Sequence, residues 1–593
     1  MDPITMQNST TSNLLRISGL ASGINTDQIV SQLMQAASQP LYQLEQQKQW
    51  LQWQQEDLQD INTKLLTLRD NTLFSMKLQG TYLAKTVSSN TSIATATAGV
   101  NAVNGTYQLN VNQLATGATS ASTAAIGAYT NNSDGSVTYN PLISSDVTIR
   151  LNNNSITFKA GSTINDIVST INSVSSTTHV NATYDTTTDR LFLITNSTGS
   201  SSKIDFSGTD STGLTFLTST LKLGFNSSSY TGTAAYTTYT GSGTSISING
   251  TQINISTNED INSIISDINN NVSSVNASVD SNGVITISSK NGSQVSISGD
   301  YDFLLNNLHL PFSQGTDASF SFNGVNMTTS TNNVSVAGIN INLTGEGKTT
   351  LSVQTDTDTI YNSIKSFVDA YNDVITTINS KLTEQRYYDY QPLTDDQKKQ
   401  MTQDDITAWQ QKARSGDLSG NDNLTSIYYS MRTAISGTVT ATDGTQMTLS
   451  SIGITTGQWY EGGKLYIDDT KLKNAIQNNP QEVMDLFTKI TESTTDVNAT
   501  PGSSSSDGIA ARLYYIVNNG INSITQEAGG GQYQLYDNSF LGQQINDLNQ
   551  RMSDMQDQLN TLEQQYYDQF TQLETYMSQM NSQSQWLSQQ LNG

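Results

Sequence analysis

The C-terminal stretch constrains the fold most. There Ile545, Leu548, Met552, Met555, Leu559, Leu562, Tyr566, Phe570, Leu573, Met577, Met580, Leu587 and Leu591 recur at spacings that alternate between three and four. One residue is slipped in near Phe570, and a gap precedes Leu587. Sustained over about six heptads, this is the a/d seam of a coiled coil. One long helix packed inside a bundle would show the same pattern. The other faces are mostly Gln, Asn, Ser and Asp, so few ion pairs exist to choose a partner. In either arrangement a narrow apolar stripe of this length needs apolar surface against it.

The N-terminus offers such a surface. Asn25 is placed to cap a helix, with Gln28 at its third position and Asp27 near the positive end of the dipole. Ile29, Leu33 and Ala37 then share a face until Pro40, which should end or kink the helix. A second run places Leu41, Leu44, Leu51, Leu58, Ile61, Leu65 and Leu68 at helical spacing. Tyr361 to Leu382, with Ile364, Phe367, Val368, Tyr371, Ile375 and Ile378, adds a further helix. The simplest fold pairs the two ends of the chain.

From Gly80 the period changes to two. Tyr107, Leu109 and Val111 alternate with Gln108, Asn110 and Asn112, the mark of a half-buried strand. Up to about residue 355 the chain is rich in Ser, Thr and Asn, with turn pairs Asn249-Gly250, Asn282-Gly283 and Asn323-Gly324. An internal repeat runs through this region. Asn154–Phe158 followed by Ile164–Asn172 reappears as Gln252–Ile255 followed by Ile261–Asn269. Val180–Thr183 then matches Val275–Ser278, and Leu191–Ile194 matches Val284–Ile287. Each copy reads as strand, short amphipathic helix and two strands. A chain that leaves along helices and returns along them should be an elongated hairpin with its termini together.

Composition removes several functions. The 593 residues carry 27 Lys+Arg against 51 Asp+Glu, a net of −24, without the basic run that nucleic-acid binding requires. No stretch approaches the ~18 consecutive apolar residues of a membrane span. The N-terminus shows no Sec-type signal, and Met1 to Thr5 read either as native sequence or as an expression scar before a natural start at Met6. With no Cys, disulfides and thiol catalysis are excluded. His179 and His309 are too scattered for a metal centre, so no metal and no cofactor is expected.

Other motifs read better as structure than as chemistry. Asn342–Thr349 nearly spells a P-loop, but Asn342 replaces the first Gly and a strand, Leu351–Val353, follows where a helix should open. The carboxylate pairs Asp356/Asp358, Asp404/Asp405 and Asp468/Asp469 fit a solvated surface better than an acid–base pair. Gly529–Gly531 reads as a flexible connection. No catalytic residue is assigned, and the chain is not expected to be an enzyme.

Several further motifs occur in order: Gly19–Asp27, Leu33-Met34, Pro40-Leu41 and Gly105–Ala115, then Phe367–Asn372 and Ile452–Thr455. They continue through Gly463–Leu465 with Asp468, Lys471, Leu472 and Ala475, and Asn479-Pro480 with Val483, Leu486 and Phe487. Together they resemble the flagellar hook-associated protein 2, or FliD, filament-cap family. The repeated Ile-Asn units resemble the flagellin and hook IN motif. The resemblance implies a secreted structural protein at the distal tip of the bacterial filament. There it would form a homo-oligomeric ring, guide flagellin into place and prevent subunit loss. It also implies type III export without a cleaved signal, and contacts with flagellin and the hook-filament junction protein. An export chaperone would bind through the C-terminal helix.

The expected fold is an α+β multidomain chain. Both termini form a long helical coiled-coil or bundle leg, and β-rich domains are inserted between them. Its parts are an N-terminal leg segment (1–45), the N-terminal part of a helical bundle (46–105) and the first part of a β domain (106–125). An inserted distal β-rich domain with the first repeat (126–232) and the second part of the β domain with the other repeat (233–350) follow. The C-terminal part of the bundle (351–544) and a coiled-coil leg (545–593) complete the chain. Residues expected to bind partners or other copies are Ile29, Leu33, Leu559, Leu562, Tyr566, Phe570, Leu573, Met577, Met580, Leu587 and Leu591. An intramolecular coiled coil without a partner is the competing reading. A surface adhesin, using its Ser/Thr/Asn-rich β domains on glycans, is the alternative function, and a β-rich glycosidase is a third.

Overall fold

The computed structural model describes residues 25–225, 227–490, 502, 504–530 and 537–591. Met1–Thr5, the Ser18–Gly23 part of the N-terminal motif and Gly531 lie outside the described residues. Contacts divide the chain into a helical unit, which takes the residues up to Ala84 and those from Asp356 onward, and a β unit, Lys85–Thr355, inserted in sequence between them. The fold is α+β and multidomain, as the periodicities require.

In the helical unit, Asn25 accepts the Gln28 N–H at 3.1 Å and opens Thr26–Ala37. Ser38 interrupts the helix, and Gln39–Thr67 starts with Pro40 in its first turn, where a missing N–H costs nothing. This second helix continues through the π-helical turn Leu68–Leu73 to Met76. Asp356 caps Thr357–Thr383 by accepting the Thr359 N–H at 2.9 Å. Leu58, Ile61 and Leu65 share one core with Ile364, Phe367, Tyr371, Ile375 and Ile378. Asp422–Ser436, Pro480–Thr488 and Ile509–Ala528 complete that core. Gly453 ends a 3-10 turn at φ +89°, and a side chain there would meet Lys471 Cβ at 2.7 Å, so this position requires glycine.

Strands begin at Lys85, not at 106 as the expected division has it. Lys85–Ser88 and Ala94–Ala98 are short and uncharged beyond Lys85, so their apolar signal is faint. A five-stranded antiparallel sheet runs in the order Lys85–Ser88, Gly347–Thr355, Gly105–Gln113, Ala318–Phe322, Val325–Thr329. A three-stranded sheet places Ile339–Leu343 between Ala94–Ala98 and Asn333–Val336. Leu109, Val111, Phe320, Phe322, Ile341, Leu351 and Val353 belong to one core.

The two repeats occupy a second core of the β unit, between Ala118 and Phe312 in sequence. The first contains Val147–Leu151, Asn154–Phe158, Ile164–Ser173, Val180–Asp185 and Arg190–Thr195. The second contains Thr244–Ile248, Thr251–Ile255, Ile261–Asn271, Val275–Val279 and Ile285–Ser289. Asn172 donates to Ala182 O at 2.9 Å and accepts from Ala182 N at 2.7 Å; Asn269 makes the same pair of bonds to Ala277, both at 2.8 Å. The Asn of each Ile-Asn unit thus fastens a helix end to a strand that has a free edge position there, while the Ile before it fills the core.

Two expectations change here. The separate domains 126–232 and 233–350 are not what packing produces: Ile164, Ile167 and Ile171 share a continuous core with Ile264 and Ile268, because neither repeat alone encloses its apolar faces. The strand match also shifts by one residue. Leu191 and Leu193 point inward, as do Ile285 and Ile287, so Phe192 corresponds to Thr286 and Ile194 to Ser288. Neighbouring strand residues face opposite ways, and matching letters alone misses that phase.

Candidate functional site

Phe540–Leu591 is one helix of 52 residues that contacts Thr26–Ala37, Gln39–Thr67 and Ile509–Ala528. Burial declines along it. Leu541, Leu548 and Leu559 are buried; Met552, Met555, Leu562, Tyr566, Phe570 and Met577 are half-buried. Leu573 is 44% exposed, Met580 66%, Leu587 53% and Leu591 81%. Tyr576 and Trp586, which lie off the expected seam, are exposed as well. At the N-terminal helix the inward residues are Val30 and Thr26, while Ile29 is half-buried and Leu33 is exposed. Val30 is the residue that the face chosen from the sequence overlooks, a rotation of about 100° from Ile29.

Polar contacts fix the base of this arrangement. Gln55 and Gln59 donate to Ala528 O at 3.1 and 2.8 Å, serving a carbonyl that the end of Ile509–Ala528 would otherwise leave bare. Asp57, almost fully buried, accepts from Lys381 and Arg414; Arg414 also reaches Glu56 at 3.0 Å. Burial raises the Asp57 pKa, but donation from Arg414 and Lys381 outweighs it and holds the carboxyl below its usual value. Asp417 has a fully enclosed side chain 3.8 Å from Lys381 Nζ, and no donor serves either of its oxygens. Burial, with the Asp57 carboxylate beside it, pushes Asp417 up to about 7. These residues lie more than three hundred positions apart between Asp57 and Lys381, so nothing in the local sequence connects them. The cluster ties three segments together.

The motifs set aside above have structural roles. Gly345 sits in a turn between Ile339–Leu343 and Gly347–Thr355, with no helix following. Asp356 and Asp468 are helix caps, Asp358 pairs with Lys473 at 2.8 Å, and Asp469 accepts from Tyr361. Asp404 and Asp405 lie in the first turn of Gln403–Arg414. Among the described residues no group of three His, Asp or Glu could hold a metal ion, and no helix is long and apolar enough to cross a membrane.

Known proteins match this chain along its length. The model for the flagellar hook-associated protein 2 N-terminus matches residues 22–118, and that for its C-terminus matches 315–582. The flagellin hook IN motif matches 146–197, the first of the two repeats. Flagellar hook-associated protein 2 of Halalkalibacterium halodurans is 29% identical over 97% of this chain and 99% of its own. That of Thermotoga maritima is 29% identical over 98% of this chain and 96% of its own. The solved D1-D2-D3 domains of the Escherichia coli flagellar cap protein FliD cover 83% of this chain and 99% of their own at 19% identity, with a TM-score of 0.46. Both terminal models of one family match in order, and two relatives align from end to end: the chain belongs to the flagellar hook-associated protein 2 family.

Proposed function

We propose that this chain is the structural cap at the distal end of the bacterial flagellar filament, where it promotes flagellin polymerisation and prevents subunit loss. Family membership supports the role. The observation that carries the mechanism is the C-terminal helix, whose apolar stripe continues past its intramolecular contacts to Met580, Leu587 and Leu591. An amphipathic helix with an open face docks by its apolar positions. At the filament tip those positions meet flagellin or the hook-filament junction protein, and before export they meet a chaperone. Ile29 and Leu33 extend the same docking surface at the N-terminal helix. The β unit builds a homo-oligomeric ring, and the chain reaches the tip by type III export. The role is mechanical and requires no catalysis. The glycan-binding alternative is not carried further, since every matched family is flagellar.

Negative-stain imaging of the purified chain mixed with flagellin filaments tests this reading. Plates seated at filament ends are expected. Filament ends that stay bare at saturating protein would overturn it.

A further inference from the structure

The two repeats provide an internal control for each other. In the first, the central strand Arg190–Thr195 turns Phe192 and Ile194 outward, 41% and 49% exposed. Phe192 is flanked by Ala121 and Thr183, and Ile194 by Thr119 and Asn181. In the second, the equivalent central-strand positions are Thr286 and Ser288, flanked by Thr231 and Ser278, and by Ser229 and Asn276. The surroundings are nearly the same, and the inward residues are apolar in both. The unit therefore folds with hydroxyls at these outward positions, and folding alone does not call for Phe and Ile there.

From this contrast we propose that the outer face of the first repeat, centred on Phe192 and Ile194, is a contact surface for a second copy of this chain. The proposal rests on the oligomeric-cap reading and adds to the ring a two-fold contact, which closes at two chains and so joins copies in pairs. The charges favour a second copy as occupant. Arg190 and Asp185 are register partners on the same face, yet neither joins an ion pair among the described residues. Arg190 makes only a 3.4 Å bond to Ser122 O, and the Asp185 carboxylate accepts N–H groups of the following turn, from Thr187 and Thr188. A two-fold axis along the strands, between those bearing Phe192 and Thr183, sets Arg190 of each copy over Asp185 of the other. The apolar pairs then meet in the middle. Two chains of net charge −24 repel, and this face, with one cation, one carboxylate and otherwise uncharged residues, is neutral. At the position of Arg190 the second repeat carries Val284, so it lacks the complementary pair as well as the apolar centre.

The test uses the full chain and residues that the second repeat already tolerates. Sedimentation of Phe192→Thr/Ile194→Ser should show the dissociation constant of self-association raised about tenfold or more, with an unchanged circular dichroism spectrum. Because the chain has no Cys, Thr183→Cys and Ser278→Cys provide single labels on the two equivalent faces. A short bismaleimide should link Thr183→Cys chains into dimers and leave Ser278→Cys chains unlinked. Self-association of unchanged strength in the folded double variant, or equal linking at both positions, would overturn the assigned face while leaving the cap reading intact. Unchanged self-association with lost filament binding would give the face to another protein and overturn the proposal. A chain that stays monomeric at every concentration would remove the oligomeric-cap reading itself.

Discussion

Within the helical unit, two regions with the same three-and-four spacing end in opposite states. Where Gln39–Thr67 meets Thr357–Thr383 and Ile509–Ala528, apolar side chains are enclosed, and Gln59 and Asn62 donate across to Ala528 O and Thr525 Oγ1. Over the distal part of Phe540–Leu591 the stripe remains open. Periodicity therefore specifies a face, and neighbouring helices decide whether that face becomes core or contact surface. The enclosed region should hold the unit's stability and the open region its partner affinity.

Mutations can break that division. All five tryptophans lie outside Lys85–Thr355, so tryptophan fluorescence during denaturation follows the helical unit. The largest effect is expected from Asp57→Ala, which removes the buried carboxylate that Lys381 and Arg414 share, leaves them only Glu56, Glu384 and Asp417, and should lower unfolding free energy by about 3 kcal/mol. A loss below about 1 kcal/mol would mean that the cluster does not secure the enclosed region. Leu559→Ala, at the last fully buried seam position, should cost about 2 kcal/mol. If it proves neutral, the boundary between closed and open stripe lies nearer the N-terminal end of the helix.

A pH series sharpens the comparison further. The folded Asp417 pKa of about 7 exceeds the ordinary carboxylate value, so the folded state binds the extra proton between roughly pH 4 and 7. Its contribution is fully present below the unfolded value and is lost as pH rises through 7. Asp417→Asn should therefore gain melting temperature relative to the parent chain as pH goes from 5 to 8. A constant difference across that range would show that Asp417 does not titrate as its burial requires. The smallest effect is expected from Leu587→Ala on the open stripe, within about 0.5 kcal/mol of the parent. A larger loss would reveal an intramolecular partner for that end.

Much of this architecture was legible in the sequence, and the misses have physical causes. Helical ends and duplicated β units announce themselves because periods of 3.6 and 2 repeat over many residues. The Asn of each Ile-Asn unit was visible as a repeated letter, but its bonds to Ala182 and Ala277 depend on a strand that follows several residues later. The face marked by Ile29 and Leu33 misses Val30 because a short helix has few turns with which to define its face. The strand match slipped at Phe192 because composition does not record which way a side chain points. Asp57 and Asp417 gave no signal at all, since their meeting depends on how distant helices pack.

The central claim is that the open apolar stripe is what the chain uses at the filament tip. The full chain carrying Leu573→Asp, Met580→Asp and Leu587→Asp keeps the enclosed region untouched, and its melting temperature should match the parent's. The deciding measurement is filament length in a strain lacking its own cap and supplied with this variant. Flagellin should be lost to the medium, and filaments should be absent or stunted. Filaments of parental length would contradict it.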